Sequence, residues 1–203
     1  MTETVVTPAP VLTDGLLRLR PWRREESAVL VNLLHASMDS IGRWMDWCTP
    51  AYADEDALRW MLDVEQSWTN GTGECALAIE LGHEEAPVGC IAINQFRPEH
   101  RTANIGYWVG QPHQGQGLAA RAVALLAPCA FARFDLCRLE IVAAEHNWPS
   151  RRTAEKAGAR YEGIARKRLV IHGASVDAAM YALVTEDTDQ PDAVQKKVIS
   201  PKP

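Results

Sequence analysis

Gln114-Gly115-Gln116-Gly117 is the stretch of this chain whose residue types and spacing most suit chemistry. An apolar, strand-like run from Ile105 to Val109 precedes it, and a segment with helical character starts at Leu118. Glycine lets the backbone take positive φ and approach a ligand closely. A helix N-terminus offers unpaired N–H groups and the positive end of its dipole. Together they suit a phosphate, so the loop predicts a site for a phosphorylated cofactor. It is not a P-loop, because Leu118-Ala119 stands where a Lys-Ser or Lys-Thr pair is required. A dinucleotide fingerprint is also excluded. Only two glycines stand here, and Leu136-Cys137-Arg138-Leu139 falls where an acidic residue is needed.

The block Asn147-Trp148-Pro149-Ser150 through Gly158-Ala159 reads as a helix opened by polar residues and closed by glycine. Ser150 suits an N-cap, typically worth ~1 kcal/mol. Asn147 carries both a donor and an acceptor and suits either a turn or a ligand amide.

These blocks resemble the GNAT N-acetyltransferase superfamily. Its acetyl-CoA loop, Gln/Arg-x-x-Gly-x-Gly/Ala, is filled in register by Gln114, Gly117 and Ala119. The Asn147–Ala159 block looks like the family's later segment, and Glu162-Gly163 beyond it is also typical. Trp44-Met45-Asp46-Trp47 and the Ile105–Trp108 run resemble the RimJ/RimL-type subgroup, which acetylates ribosomal-protein N-termini. The similarity spans roughly residues 15–185.

The resemblance implies an enzyme that takes acetyl-CoA as co-substrate, without a metal, and transfers acetyl to a primary amine by direct attack in a ternary complex. A protein N-terminal α-amine is favoured over a small amine. A CoA-binding sensor without turnover is the alternative. An α-amine of pKa about 7.7–8.0 is partly neutral at cytoplasmic pH, whereas a lysine near ~10.4 needs more help. By the same resemblance, Gly115, Gln116, Gly117, Leu118 and Ala119 hold the pyrophosphate, with Gln114 opening their loop. Tyr107, Trp108 and Val109 lie along the pantetheine arm, with one backbone N–H as oxyanion donor. Asn147 meets the pantetheine amides, and Ser150 protonates the departing thiolate. Apart from the resemblance, the apolar residues of Trp44-Met45-Asp46-Trp47 are too closely spaced for all to face inward on one helix. Trp44 and Trp47 are therefore expected to form an acceptor pocket, with Asp46 or nearby acids attracting a cationic amine. The chain departs from the RimL-type pattern at Leu169, where that pattern has a carboxylate base. The nearest substitutes are Glu99 and His100, in the charged turn Arg97–Arg101. His113 reads as a rim residue.

Composition bounds the remainder. A chain of 203 residues with 47% hydrophobic content fits one domain with one core. A net charge of −5 argues against a DNA-binding or general nucleic-acid-binding protein. The arginines at 18, 20, 23 and 24 and the basic run 166–168 read as solvated faces. Five cysteines without a Cys-x-x-Cys pair suit reduced thiols in the cytoplasm. No apolar run reaches the ~18 residues of a membrane span, and the histidines offer no metal-ligand spacing. The resemblance leaves a homodimer open.

Hydrophobic periodicity predicts an extended arm over 1–13, a domain over 14–186 and a flexible tail over 187–203. Within the domain it predicts strands at 16–20, 75–81, 88–96, 102–110, 138–144, 160–171 and 176–185. Helices are expected at 24–36, 54–68, 118–134 and 150–157, the third kinked or split by Pro128. About four helices among mostly consecutive strands give an α+β fold with a mixed, mostly antiparallel sheet. The family resemblance adds a splay at the cofactor strand.

Overall fold

The computed structural model describes residues 8–82 and 86–188. The chain runs β1 (Leu12–Thr13), β2 (Leu17–Arg20), α1 (Ser27–His35), α2 (Met38–Ile41) and α3 (Asp54–Asn70). It continues through β3 (Cys75–Leu81), β4 (Pro87–Arg97), β5 (Thr102–Val109), α4 (Leu118–Phe134) and β6 (Arg138–Ala144). It closes with α5 (Trp148–Lys156), β7 (Arg160–Ile171), β8 (Ala174–Val184) and α6 (Thr185–Thr188). The fold is α+β, with one eight-stranded sheet in the order β1-β2-β3-β4-β5-β6-β8-β7. Among the described residues, six α-helices accompany it. Two of them, α2 and α6, are single turns of four residues that the hydrophobic pattern did not announce.

Every neighbouring pair in the sheet is antiparallel except β5 and β6. That parallel pair is short. It joins Thr102 to Arg138, Ala103 to Leu139 and Asn104 to Glu140, and then the strands part. Residues 105–109 of β5 and 141–144 of β6 keep their other partners, β4 and β8, so the gap between them is a wedge with unpaired backbone on each side. This is the splay that the family resemblance implied.

The sheet is covered on both faces, as β3 shows by being buried at all seven positions. Helices α1 and α3 pack on β4 and β3, and α4 on β2, β4 and β5. Pro128 does not split α4, which runs unbroken from 118 to 134. An interior proline costs about 3 kcal/mol. Buried Val123, Leu125, Leu126 and Phe131 each return about 1.5–3 kcal/mol, so packing outweighs the lost hydrogen bond.

Three further expectations need correction. Residues 12–13, assigned to the arm, pair with β2 through Leu12–Leu19 and Thr13–Arg18. At the other end, Asp187 and Thr188 belong to α6, with Asp187 3.0 Å from Arg160. Residues 1–7 and 189–203 lie outside the described residues. Finally, Arg20 is not part of a solvated face. It is 3% exposed and donates to Glu26 at 2.9 and 2.6 Å and to Glu80 at 3.0 Å. Burial works against the Glu26 charge, but the bonds and charge of Arg20 prevail and hold its carboxyl below the ordinary range.

Candidate active site

The glycine loop opens the wedge at its wide end. Gly115 and Gly117 have φ of +78° and +77°, and a Cβ on either would meet nothing within 4 Å. Glycine is required there by conformation and not by space. Gly117 is the N-cap of α4. The first intrahelical bond joins Arg121 N–H to the Gly117 carbonyl. The N–H groups of Leu118, Ala119 and Ala120 therefore have no helical acceptor and remain for an anion. Gln114 does something its motif position did not suggest. Its Nε2 donates to the Val109 carbonyl at 2.8 Å and to Ser40 Oγ at 3.0 Å. It braces the loop between the end of β5 and α2.

A cleft of about 1010 Å³ runs from this loop along the parted strands. Gly115, Gly117, Leu118 and Ala119 line one end, and Tyr107, Trp108 and Val109 line the β5 wall. Asn147 and Ser150 line the α5 side, and Trp44 closes the far wall. Gln116 and Trp47 are not part of the lining. Trp47 is 46% exposed, with its ring 6.5 Å from Trp108 and 5.9 Å from Tyr52. It backs the wall that Trp108 presents.

Where α5 begins, Asn147 is the N-cap and its Oδ1 accepts from Ser150 N–H at 3.2 Å. The cap expected of Ser150 belongs to Asn147, which frees the Ser150 hydroxyl. Across the wedge, Tyr107 Oη donates to the Ser150 carbonyl at 2.9 Å and lies 3.4 Å from Ser150 Oγ. Burial pushes the Tyr107 phenol up to about 12, so it stays protonated. Two hydroxyls thus meet at the point where β5 faces α5.

Glu99 and His100 are elsewhere. They occupy the turn before β5, at the end remote from the glycine loop, with side chains 66% and 70% exposed. Five residues of strand, Thr102 to Gly106, at ~3.3 Å each separate that turn from Tyr107. The turn flanks the cofactor strand in sequence, but the strand's direction carries it away from the cleft. Asp46 is also committed. Its Oδ1 accepts from His172 N–H at 2.9 Å, while His172 Nε2 lies 3.0 Å from the Gly42 carbonyl. The tip of the β7–β8 hairpin is thereby tied to the segment that bears Trp44.

Several lining residues were not anticipated. Asp39, Ser40 and Arg43 come from α2 and the turn after it, and the Arg43 guanidinium lies 5.0 Å from the Trp44 ring centroid. Ser37 Oγ accepts from Gln111 N–H at 2.9 Å and ties the same segment to the end of β5. Nothing in the local pattern marks these residues. Arg152 and Lys156 also line the cleft. Their i, i+4 spacing, which places both on one face of α5, was the available signal. No cysteine lines the cleft. Burial pushes the Cys75 thiol up to about 12 and the Cys90 thiol well above its ordinary value, which leaves little thiolate for nucleophilic attack.

Strands thus part beside a glycine-led helix with an anion-ready N-terminus, and two hydroxyls meet across the gap. The chain belongs to the acetyltransferase (GNAT) domain family, whose model matches residues 17–160. Among curated relatives, the ribosomal-protein-serine acetyltransferase of Escherichia coli is 30% identical over 103 residues, which is 51% of this chain and 58% of that protein. The N-acetyltransferase p20 of Bacillus licheniformis, itself uncharacterised, is 29% identical over 171 residues, covering 84% of this chain and 94% of its own. Among solved structures, Mycobacterium smegmatis RimJ in complex with CoA-disulfide superposes with a TM-score of 0.77 at 27% identity, covering 94% of this chain and 93% of that one. The chain is thus an N-acetyltransferase of the RimJ/RimL-like group.

Proposed function

We propose that this enzyme transfers acetyl from acetyl-CoA to a primary amine, with a protein N-terminal α-amine as the favoured acceptor. The observation that carries the reading is the parting of β5 from β6 beyond Asn104 and Glu140, directly over the free N–H groups of α4. The residues present fit the co-substrate. Leu118, Ala119 and Ala120 offer backbone donors for a pyrophosphate, and Arg152 and Lys156 add positive charge along the cleft. The unpaired edge of β5 at Tyr107–Val109 offers peptide groups to an extended amide arm. Acetyl-CoA supplies the activated thioester. In this chain Ser150 Oγ is the proton donor toward the leaving sulfur, and Tyr107 fixes the Ser150 backbone from across the wedge. A β5 N–H facing the gap takes up the developing oxyanion charge, a role worth about 3–4 kcal/mol in other acyl-transfer sites. The activity named for the Escherichia coli relative, acetylation of a ribosomal-protein serine, favours a protein acceptor over a free small amine.

The test is thiol release from acetyl-CoA across a panel of Ser-, Ala- and Met-starting peptides and small amines. Turnover confined to peptides is expected, and turnover confined to small amines would overturn the protein-acceptor reading. Ser150→Ala keeps the Tyr107 bond, which is to the backbone carbonyl. It is expected to lower kcat by about 10²-fold with little change in acetyl-CoA KM. An unchanged kcat would remove Ser150 from the proton path.

A further inference from the structure

A polar chain crosses the sheet from the cleft to a half-buried carboxylate, and its donors and acceptors can be arranged in one direction only. Glu74, just before β3, accepts from Trp60 Nε1 at 3.2 Å. The register that pairs Cys75 with Ile93 sets it opposite Asn94, whose side-chain amide favours its charged form. Asn94 and Asn104 are register partners on β4 and β5, so their side chains share a face. Asn104 Nδ2 donates to Asn94 Oδ1 at 2.9 Å. A carboxylate only accepts. Asn94 must therefore turn its NH₂ toward Glu74 and its carbonyl toward Asn104, and Asn104 must commit an N–H to Asn94. The carbonyl of Asn104 is left over. Asn104 lines the cleft and is the last β5 residue paired with β6. Gly106, next on that face, has no side chain to cover it, and a Cβ there would sit 3.8 Å from Asn104 Nδ2.

We propose that Asn104, oriented through Asn94 by Glu74, presents its carbonyl oxygen to an N–H of the incoming amine and so determines acceptor specificity. This rests on the reading of the cleft as an amine-acetylation site. The design has a chemical logic. A carbonyl accepts an N–H from the neutral amine and cannot take its proton, so it orients the nucleophile without acting as a base. Trp60 and Asn94 hold the negative charge two side chains away, and each bond in the line polarises the next.

Glu74→Gln tests this with one atom changed. Trp60 can only donate, so the introduced glutamine must give it the carbonyl and turn its NH₂ toward Asn94. Asn94 and Asn104 then both reverse, and the cleft receives an NH₂ in place of a carbonyl. Amine KM is expected to rise roughly 10- to 100-fold, with acetyl-CoA KM and the melting temperature held. Asn104→Ala, which removes the carbonyl, should raise amine KM likewise. Unchanged amine KM in both variants, with the wild type turning over, overturns the inference and leaves the acetylation reading standing. A second readout does not need turnover: ethylamine titrated into ¹⁵N-labelled protein should shift the Asn104 side-chain amide signals in wild type and not in Glu74→Gln. That shift without turnover would support the amine site and count against the catalytic reading. Its absence in wild type would overturn the inference.

Discussion

Replacing Gly117 by alanine separates two reasons a loop can require glycine. A Cβ at this position meets nothing within 4 Å, so crowding contributes no cost. What remains is the left-handed backbone, φ +77°, which costs an alanine roughly 1–2 kcal/mol. If the surrounding structure holds the loop, that cost appears as lost stability. For a chain of this length the melting temperature then falls by about 2–8 °C. If the loop yields instead, the N–H groups at the start of α4 turn away from the anion, and acetyl-CoA KM rises about 5- to 30-fold. Gly117→Asn should do less of either, because asparagine tolerates this conformation. The assay is thermal unfolding alongside acetyl-CoA KM for wild type and both variants. A melting temperature and KM for Gly117→Ala both equal to wild type would refute the reasoning. So would asparagine proving as harmful as alanine, since that would point to a steric or side-chain cause.

Other outcomes follow from the same geometry. Arg20→Leu takes the buried partner from two carboxylates, Glu26 and Glu80, that are 11% and 8% exposed and keep only the more exposed Arg23 at 3.9 Å and Arg18 at 3.5 Å. It should cost about 3–5 kcal/mol by chemical denaturation; a cost below about 1 kcal/mol would show that water reaches the cluster. Because the Glu26 carboxyl is held below its ordinary value, its contribution is full above about pH 4.5 and is lost as pH falls through the lowered pKa. Wild type should therefore lose stability more steeply on acidification than a Glu26→Gln variant. Glu74 has the opposite sign: burial raises its pKa against the bonds from Trp60 and Asn94. The native state thus binds more protons just above pH 4.5, and stability falls as pH rises there. Glu74→Gln should remove that slope, which unfolding across pH 4–7 would reveal. Last, His172→Ala removes the ring that ties the hairpin tip to Gly42. It should raise amine KM about two- to tenfold and leave acetyl-CoA KM alone. An effect on acetyl-CoA KM alone would place the hairpin on the wrong side of the cleft.

What the sequence determined by itself is what local physics governs. Gly115 and Gly117 signal positive φ because other residues are strained there, and an apolar run before them with a helical segment after them sets the anion-binding geometry. The bounds of β3, α4 and β6 followed from periodicity and glycine punctuation, and Asn147 to Gly158 marked both ends of α5 within a few residues. The family resemblance supplied the splay and the roles along β5, which spacing alone does not contain. Tertiary structure decided whatever depends on partners distant in the chain. Asp46 accepts from the backbone of His172, 126 positions away. Arg20, one of an alternating row of arginines, is buried because Glu80 lies 60 positions on. Glu99 and His100 looked adjacent to the cofactor strand, but the direction of β5 puts them at its remote end. The line from Glu74 through Asn94 to Asn104 exists only because sheet register sets β4 against β5. Helix starts, turns and loop conformations are written in neighbouring residues; hydrogen-bond direction and burial are fixed only when the register closes.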